Sequence, residues 1–164
     1  MELKRHLNLR YVFVSFYVIL FAAYIIIGLQ PAEAVVSYDI SGNLSIPEID
    51  LNADVTQVSL EGGNLETPDT IVGSYSKAVN KTLLFGHSTT VFQDLKDVQV
   101  SDKIIYNDVS YHVVSNKIWA KSDITMSRLL RGSDVDTLVL MTCAGELLGD
   151  GDATHRLIVV AIKD

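Results

Sequence analysis

The sequence predicts a mainly β domain whose sheet closes into a barrel. Short segments rich in β-branched residues recur between turn residues, helical periodicity is confined to two brief stretches, and 164 residues suit a single core. The predicted strands are residues 44–49, 55–60, 82–85, 103–106, 110–118, 137–142 and 156–162. Asn107-Asp108 separates two of them and predicts a hairpin turn. Gly62-Gly63 and Pro68-Asp69 mark a longer loop, placed either to bind a ligand or merely to connect.

The two helical stretches are short. Phe92, Leu95 and Val98 fall on one stripe within residues 90–98. Ser122, Asp123 and Thr125 offer caps before residues 126–130, and Gly132 offers a stop.

Ahead of the barrel, residues 11–29 form a run of nineteen positions without a charge. As a helix they would span about 28 Å, enough to cross a bilayer. Lys4, Arg5 and Arg10 precede the run and no Lys or Arg follows until Lys77, so the N-terminus is expected inside and the domain outside. Ala32-Glu33-Ala34 resembles a signal-peptide cleavage site, but the apolar run is longer than a typical signal core and favours an uncleaved anchor. Residues 1–10 are thus read as a cytoplasmic N-terminus, 11–29 as a transmembrane anchor, 30–43 as a tether and 44–164 as the exported domain.

Charge narrows the partners. Only three of the 13 basic and one of the 20 acidic residues precede the apolar run, so the rest of the chain nets −9. Such a surface argues against binding nucleic-acid phosphates and suits partners carrying amino groups.

Cys143 is the only cysteine, so it has no internal disulfide partner; outside the cytoplasm a lone thiol is either a reactive group or a small packing residue. Residues 137–142 lead into it and Ala144-Gly145 follow, a strand end that would hold a side chain firmly while exposing it. A nucleophilic thiol needs a base or a positive field. His6 lies on the wrong side of the apolar run, and His112 sits within a predicted strand, where a structural role is expected. His87 closes residues 82–85 at a strand exit like that of Cys143. His155 directly precedes Arg156, so alternation lets only one of the two share a face with a given neighbour. Arg156 opens the last strand, thirteen residues after Cys143, where a hairpin would return it beside the thiol. Its guanidinium could hold an oxyanion or a peptide carbonyl, or simply pair with Glu146, Asp150 or Asp152.

Taken in order, Gly86-His87 after an apolar strand, Leu140-Met141-Thr142-Cys143 ending another, and Arg156-Leu157-Ile158-Val159 on the next resemble the sortase family. Leu44-Ser45-Ile46-Pro47-Glu48-Ile49 and Phe92-Gln93-Asp94-Leu95 add weaker matches. The resemblance implies an eight-stranded β-barrel and a cysteine transpeptidase of the bacterial cell surface, with His87, Cys143 and Arg156 as its catalytic residues. It further implies that Cys143 attacks the Thr-Gly carbonyl of a sorting signal similar to Leu-Pro-x-Thr-Gly. His87 would protonate the leaving amine, Arg156 would steady the oxyanion, and an amine of the cell wall or of a pilin would resolve the thioester. The family's usual Thr-Leu-x-Thr-Cys reads Val139-Leu140-Met141-Thr142-Cys143 here, a departure that discourages assignment to a familiar subclass. The alternatives are a hydrolytic cysteine peptidase using the same groups, and a non-catalytic surface binding domain. No cofactor is expected. Glu146, Asp150 and Asp152 could attract Ca²⁺, but they lack an EF-hand spacing and a solvated loop is the favoured reading.

Overall fold

The computed structural model describes residues 17, 19, 37–61, 64–149 and 152–164. The predicted anchor, residues 11–29, lies outside them except for Tyr17 and Ile19, both helical and exposed. Among the described residues no helix is long and apolar enough to cross a membrane. Gly62, Gly63 and Asp150 also lie outside the described residues. The compact unit that carries the site spans Tyr38–Asp164.

Strand β1 (Ile40–Ile46) begins within the residues read as tether, which corrects that boundary. The stretch lacks apolar periodicity, yet it pairs antiparallel with β2 (Leu51–Gln57) from Ile40↔Thr56 to Ile46↔Leu51. Backbone pairing orders its first residues, and Leu44 and Ile46 at its far end are buried. Pro47 has no N–H to continue the ladder and opens a 3₁₀ turn, Pro47–Ile49, closed by Asp50 at φ 52°.

Beyond a small two-stranded pair, β3 (Leu60–Glu61) and β4 (Asn64–Leu65), comes β5 (Val72–Ala78), which the sequence pattern does not reveal. Its residues VGSYSKA have no clean alternation; parallel pairing with β2 at Val55↔Val72 and antiparallel pairing with β6 (Lys81–Phe85) at Gly73↔Phe85 supply the order.

The stripe Phe92, Leu95 and Val98 is buried as predicted, but on turns and a 3₁₀ segment, Leu95–Asp97, in place of an α-helix. A spacing of three residues serves a 3₁₀ turn as well as a helix. The hairpin at Asn107-Asp108 holds: both residues have positive φ, 50° and 63°, and they join β7 (Lys103–Tyr106) to β8 (Val109–Ala120). A third 3₁₀ turn, Lys121–Asp123, leads to α1 (Met126–Leu129), where Thr125 Oγ1 accepts from the Arg128 N–H at 3.3 Å. The last two strands, β9 (Thr137–Leu147) and β10 (Ala153–Lys163), are the longer form of the predicted pair.

Eight strands close into a barrel in the order β1-β2-β5-β6-β9-β10-β8-β7, with β7 returning to β1. Leu138 and Leu140 of β9 face an inner cluster with Leu44, Leu84, Phe92 and Val159, while Val139 and Met141 join an outer one with Tyr75, Phe85 and Ile158. Burial on both faces explains why β9 reads as a continuous apolar run. Phe92 is 1% exposed at the base of the loop that follows β6. Phe92→Ala is therefore expected to cost about 3–5 kcal/mol in urea unfolding, the usual range for emptying a buried aromatic site.

Candidate active site

The site is assembled by the registers of three adjacent strands. Parallel β6 and β9 pair from Lys81↔Thr137 to Phe85↔Met141. Two residues further along each chain lie His87 and Cys143, and antiparallel pairing of β9 with β10 places Arg156 directly opposite Cys143. The structure thus pairs Arg156 with Cys143 across two neighbouring strands and carries His87 on the turn just past the end of β6, the strand on the other side of β9. Because Cα-paired residues of antiparallel strands project to the same side, Cys143 and Arg156 share a face of the sheet.

The turn that carries His87 is pinned to β9. The Gly86 N–H donates to the Met141 carbonyl at 3.3 Å, and Thr142 Oγ1 donates to the Gly86 carbonyl at 2.8 Å. A Cβ on Gly86 would lie 2.4 Å from Val91 Cγ1, so the close loop requires glycine there. The His87 carbonyl then accepts from the N–H groups of Thr90 at 3.3 Å and Phe92 at 3.0 Å, curling the chain back into the core. The ring is half exposed, and its Nε2 lies 3.9 Å from Asp69 Oδ1, a contact with an exposed carboxylate that holds it weakly. Thr142→Val keeps the shape but strands the buried Gly86 carbonyl; a loss of about 1–3 kcal/mol in thermal or urea unfolding is expected.

Cys143 is a free, half-buried thiol. It does not end its strand: β9 continues through it to Leu147, a correction to the expected strand exit. The continuation is made possible by β10, which pairs out to Ala153↔Leu147 across an irregularity between Ala153 and His155. Gly145, at φ 80°, takes the distortion; a Cβ there would lie 2.6 Å from Thr154 Oγ1 and 2.7 Å from His155 Nδ1. Cys143 borders a cavity of about 320 Å³ with Ser88, Phe92, Lys96, Gly145 and Leu157, a cavity that neither His87 nor Arg156 lines.

Arg156 lies three residues inside β10 rather than opening it. Its side chain is 15% exposed and pairs with Asp152, one of the acids the sequence offered as a partner. Asp152 also receives Lys121 Nζ and the Ala153 N–H. These contacts, Lys121 first, hold its carboxyl below the usual carboxylate range. A depressed carboxyl contributes stability above the ordinary value and loses it only as pH falls through that range, so the pairing persists at neutral pH.

The remaining histidines stand apart. His112 Nδ1 lies 2.7 Å from Asp164 Oδ1 near the start of β8, in the structural role expected. His155 Nδ1 is 2.8 Å from Thr154 Oγ1, and its paired neighbour on β9 is Ala144 rather than Cys143.

Sequence reasoning missed a groove on the face that Cys143 shares. Val139 is four residues before Cys143 on β9, and Ile158 and Val160 continue the side of β10 that carries Arg156. These three, with Trp119, Ile124 and Leu129, line an apolar cavity of about 150 Å³. Arg128 closes its rim, with Cζ 4.0 Å from the Trp119 ring centroid. The available signal was Trp119, the single tryptophan of the sequence.

A closed barrel with an unpaired thiol, a guanidinium paired opposite it on the next strand and an imidazole on the turn leaving the strand on its other side defines a class of β-barrel built around a single cysteine. Residues 44–164 match the Sortase domain family. The chain belongs to the sortase family. Solved structures agree in fold. Sortase A from Corynebacterium diphtheriae matches with a TM-score of 0.62 and 21% identity, over 79% of this chain and 63% of that one, so this chain spans less than two thirds of that protein. Sortase C1 from Streptococcus agalactiae matches with a TM-score of 0.60 and 20% identity, over 76% of this chain and 67% of that one. Sortase A from Listeria monocytogenes gives 0.59 and 18%, over 76% and 87%. No curated protein sequence matches.

Proposed function

We propose that the chain is a transpeptidase that cleaves a Leu-Pro-x-Thr-Gly-like sorting signal and joins the acyl fragment to an amine. The observation that carries this reading is the pairing of Arg156 opposite Cys143 on β10 and β9, with His87 on the turn that leaves the neighbouring β6. Cys143 Sγ attacks the Thr carbonyl, and the C–N bond to Gly breaks as His87 delivers a proton to the departing amine. Arg156 donates hydrogen bonds to the oxygen that gains charge. An incoming amine then attacks the thioester, gives up a proton to His87, and expels the thiolate.

The apolar groove supports the choice of substrate. Val139 lies four positions before Cys143 on β9, roughly 13 Å of extended chain, about the distance that separates a scissile Thr-Gly bond from a leucine at the head of the signal. The acidic surface suits an amine acceptor, whether of cell wall or pilin. The uncharged run at residues 11–29, with cations on its N-terminal flank, supports a single-pass anchor with the catalytic domain outside.

The test incubates the protein with sorting-signal peptides and with oligoglycine or diamine acceptors, followed by mass spectrometry of enzyme and products. A thioester on Cys143 and a ligated product are expected. Hydrolysis alone, unchanged by any acceptor, would assign the chain to the hydrolytic cysteine peptidases.

A further inference from the structure

We infer that Asp152, balanced by Lys121, is a positioning residue for the Arg156 guanidinium. The inference rests on the reading of Arg156 as part of the transpeptidase site and adds the groups that hold it there.

Arginine carries five N–H bonds. Nη1 of Arg156 donates to the carbonyls of Ala153 and His155, both at 2.9 Å, and Nη2 donates to Asp152 Oδ1 at 2.5 Å. The Nε–H and one Nη2–H are left for a substrate oxygen. These two nitrogens flank one edge of the planar group, the arrangement that forks onto a single acceptor or a pair of them. The side chain is therefore held by three contacts on one part and open on another.

Asp152 is the only charged member of that clamp. Its Oδ1 accepts from Arg156 and, at 2.7 Å, from the Ala153 N–H, which fixes the carboxylate at the start of β10. Its Oδ2 pairs with Lys121 Nζ. Lys121 opens the 3₁₀ turn that follows β8, two residues beyond Trp119, the β8 partner of Arg156. One carboxylate between two cations leaves an excess positive charge. Alone, Asp152 would neutralise the guanidinium that must meet a developing oxyanion; with Lys121 sharing it, Asp152 orients Arg156 without cancelling its field. The Arg156 side chain is 15% exposed, against 52% for Lys121, so the Arg156 contact is shielded while the Lys121 contact is a surface pair.

The experiment measures kcat and KM for the full chain and for Asp152→Ala, Asp152→Glu, Lys121→Met, Arg156→Ala and the Asp152→Ala/Arg156→Ala double variant. The probe is a Leu-Pro-Ala-Thr-Gly peptide, or the peptide of a sorting-signal library that the wild type cleaves fastest, with rates normalised to titratable Cys143 so that unfolded protein does not count. Misplacing a group by about 1 Å can cost on the order of 10²-fold. Asp152→Ala is expected to lower kcat by about 10- to 100-fold with KM nearly unchanged, and the double variant to be no slower than Arg156→Ala alone. Asp152→Glu should recover part of the rate, and Lys121→Met should lower kcat severalfold. Wild-type kcat in Asp152→Ala, or losses that multiply in the double variant, would overturn the inference while leaving the catalytic reading of Arg156 standing. Full activity in Arg156→Ala would instead overturn that reading, and the inference with it.

Discussion

Cys143→Ala is expected to abolish turnover, with a loss on the order of 10⁴-fold or more, because a covalent route has no substitute once its nucleophile is gone. The variant should remain folded. Cys143 is half-buried, while the contacts that hold β9, its inner leucines and its pairing with β6 and β10, are made elsewhere along the strand. Mass spectrometry after incubation with a sorting-signal peptide should show an acyl adduct on the wild type and none on the variant. Turnover that survives in Cys143→Ala, at unchanged melting temperature, would exclude the thioester mechanism and favour a binding domain.

The second large effect is expected at His87. Removing a positioned general acid and base costs typically about 10²- to 10⁴-fold, and His87→Ala should fall within that range for both formation and resolution of the thioester. Folding should be almost indifferent, because the ring is half exposed and its described partner, Asp69, is a solvated carboxylate 3.9 Å away. Added imidazole, entering the exposed site, should restore part of the rate. A His87→Ala variant with full activity would remove His87 from the mechanism.

Much of the site was legible from the sequence because its chemistry resides in scarce residue types. One thiol, few histidines and an arginine after the right interval leave few combinations, and the order Gly86-His87, Thr142-Cys143, Arg156 carries the family resemblance. The barrel was legible for a related reason: strands such as Lys103–Tyr106 and Thr137–Leu147 are apolar or β-branched enough to announce burial, and Asn107-Asp108 is a turn written in two residues.

What was hidden depends on partners far away in the chain. Strand β5 has weak patterning and exists because β2 and β6 flank it. The end of β9 was misplaced at Thr142 because residues 144–147 look like a loop until β10 pairs with Ala144 and Leu147. Residues 90–98 read as helix because side-chain spacing reports which residues are buried, not which backbone hydrogen bonds form.

The sequence by itself determined the reactive inventory, the single thiol with its candidate imidazole and guanidinium, and the β-rich character of the domain, since both follow from residue identity and local pattern. Tertiary structure alone decided that Cys143 lies within its strand, that β10 sets Arg156 opposite it while His87 follows the end of the neighbouring β6, and that Asp152 links Arg156 to Lys121. The physical reason is that strand register and ion-pair geometry are set by hydrogen bonds between segments distant in sequence, which leave no periodic trace in either segment.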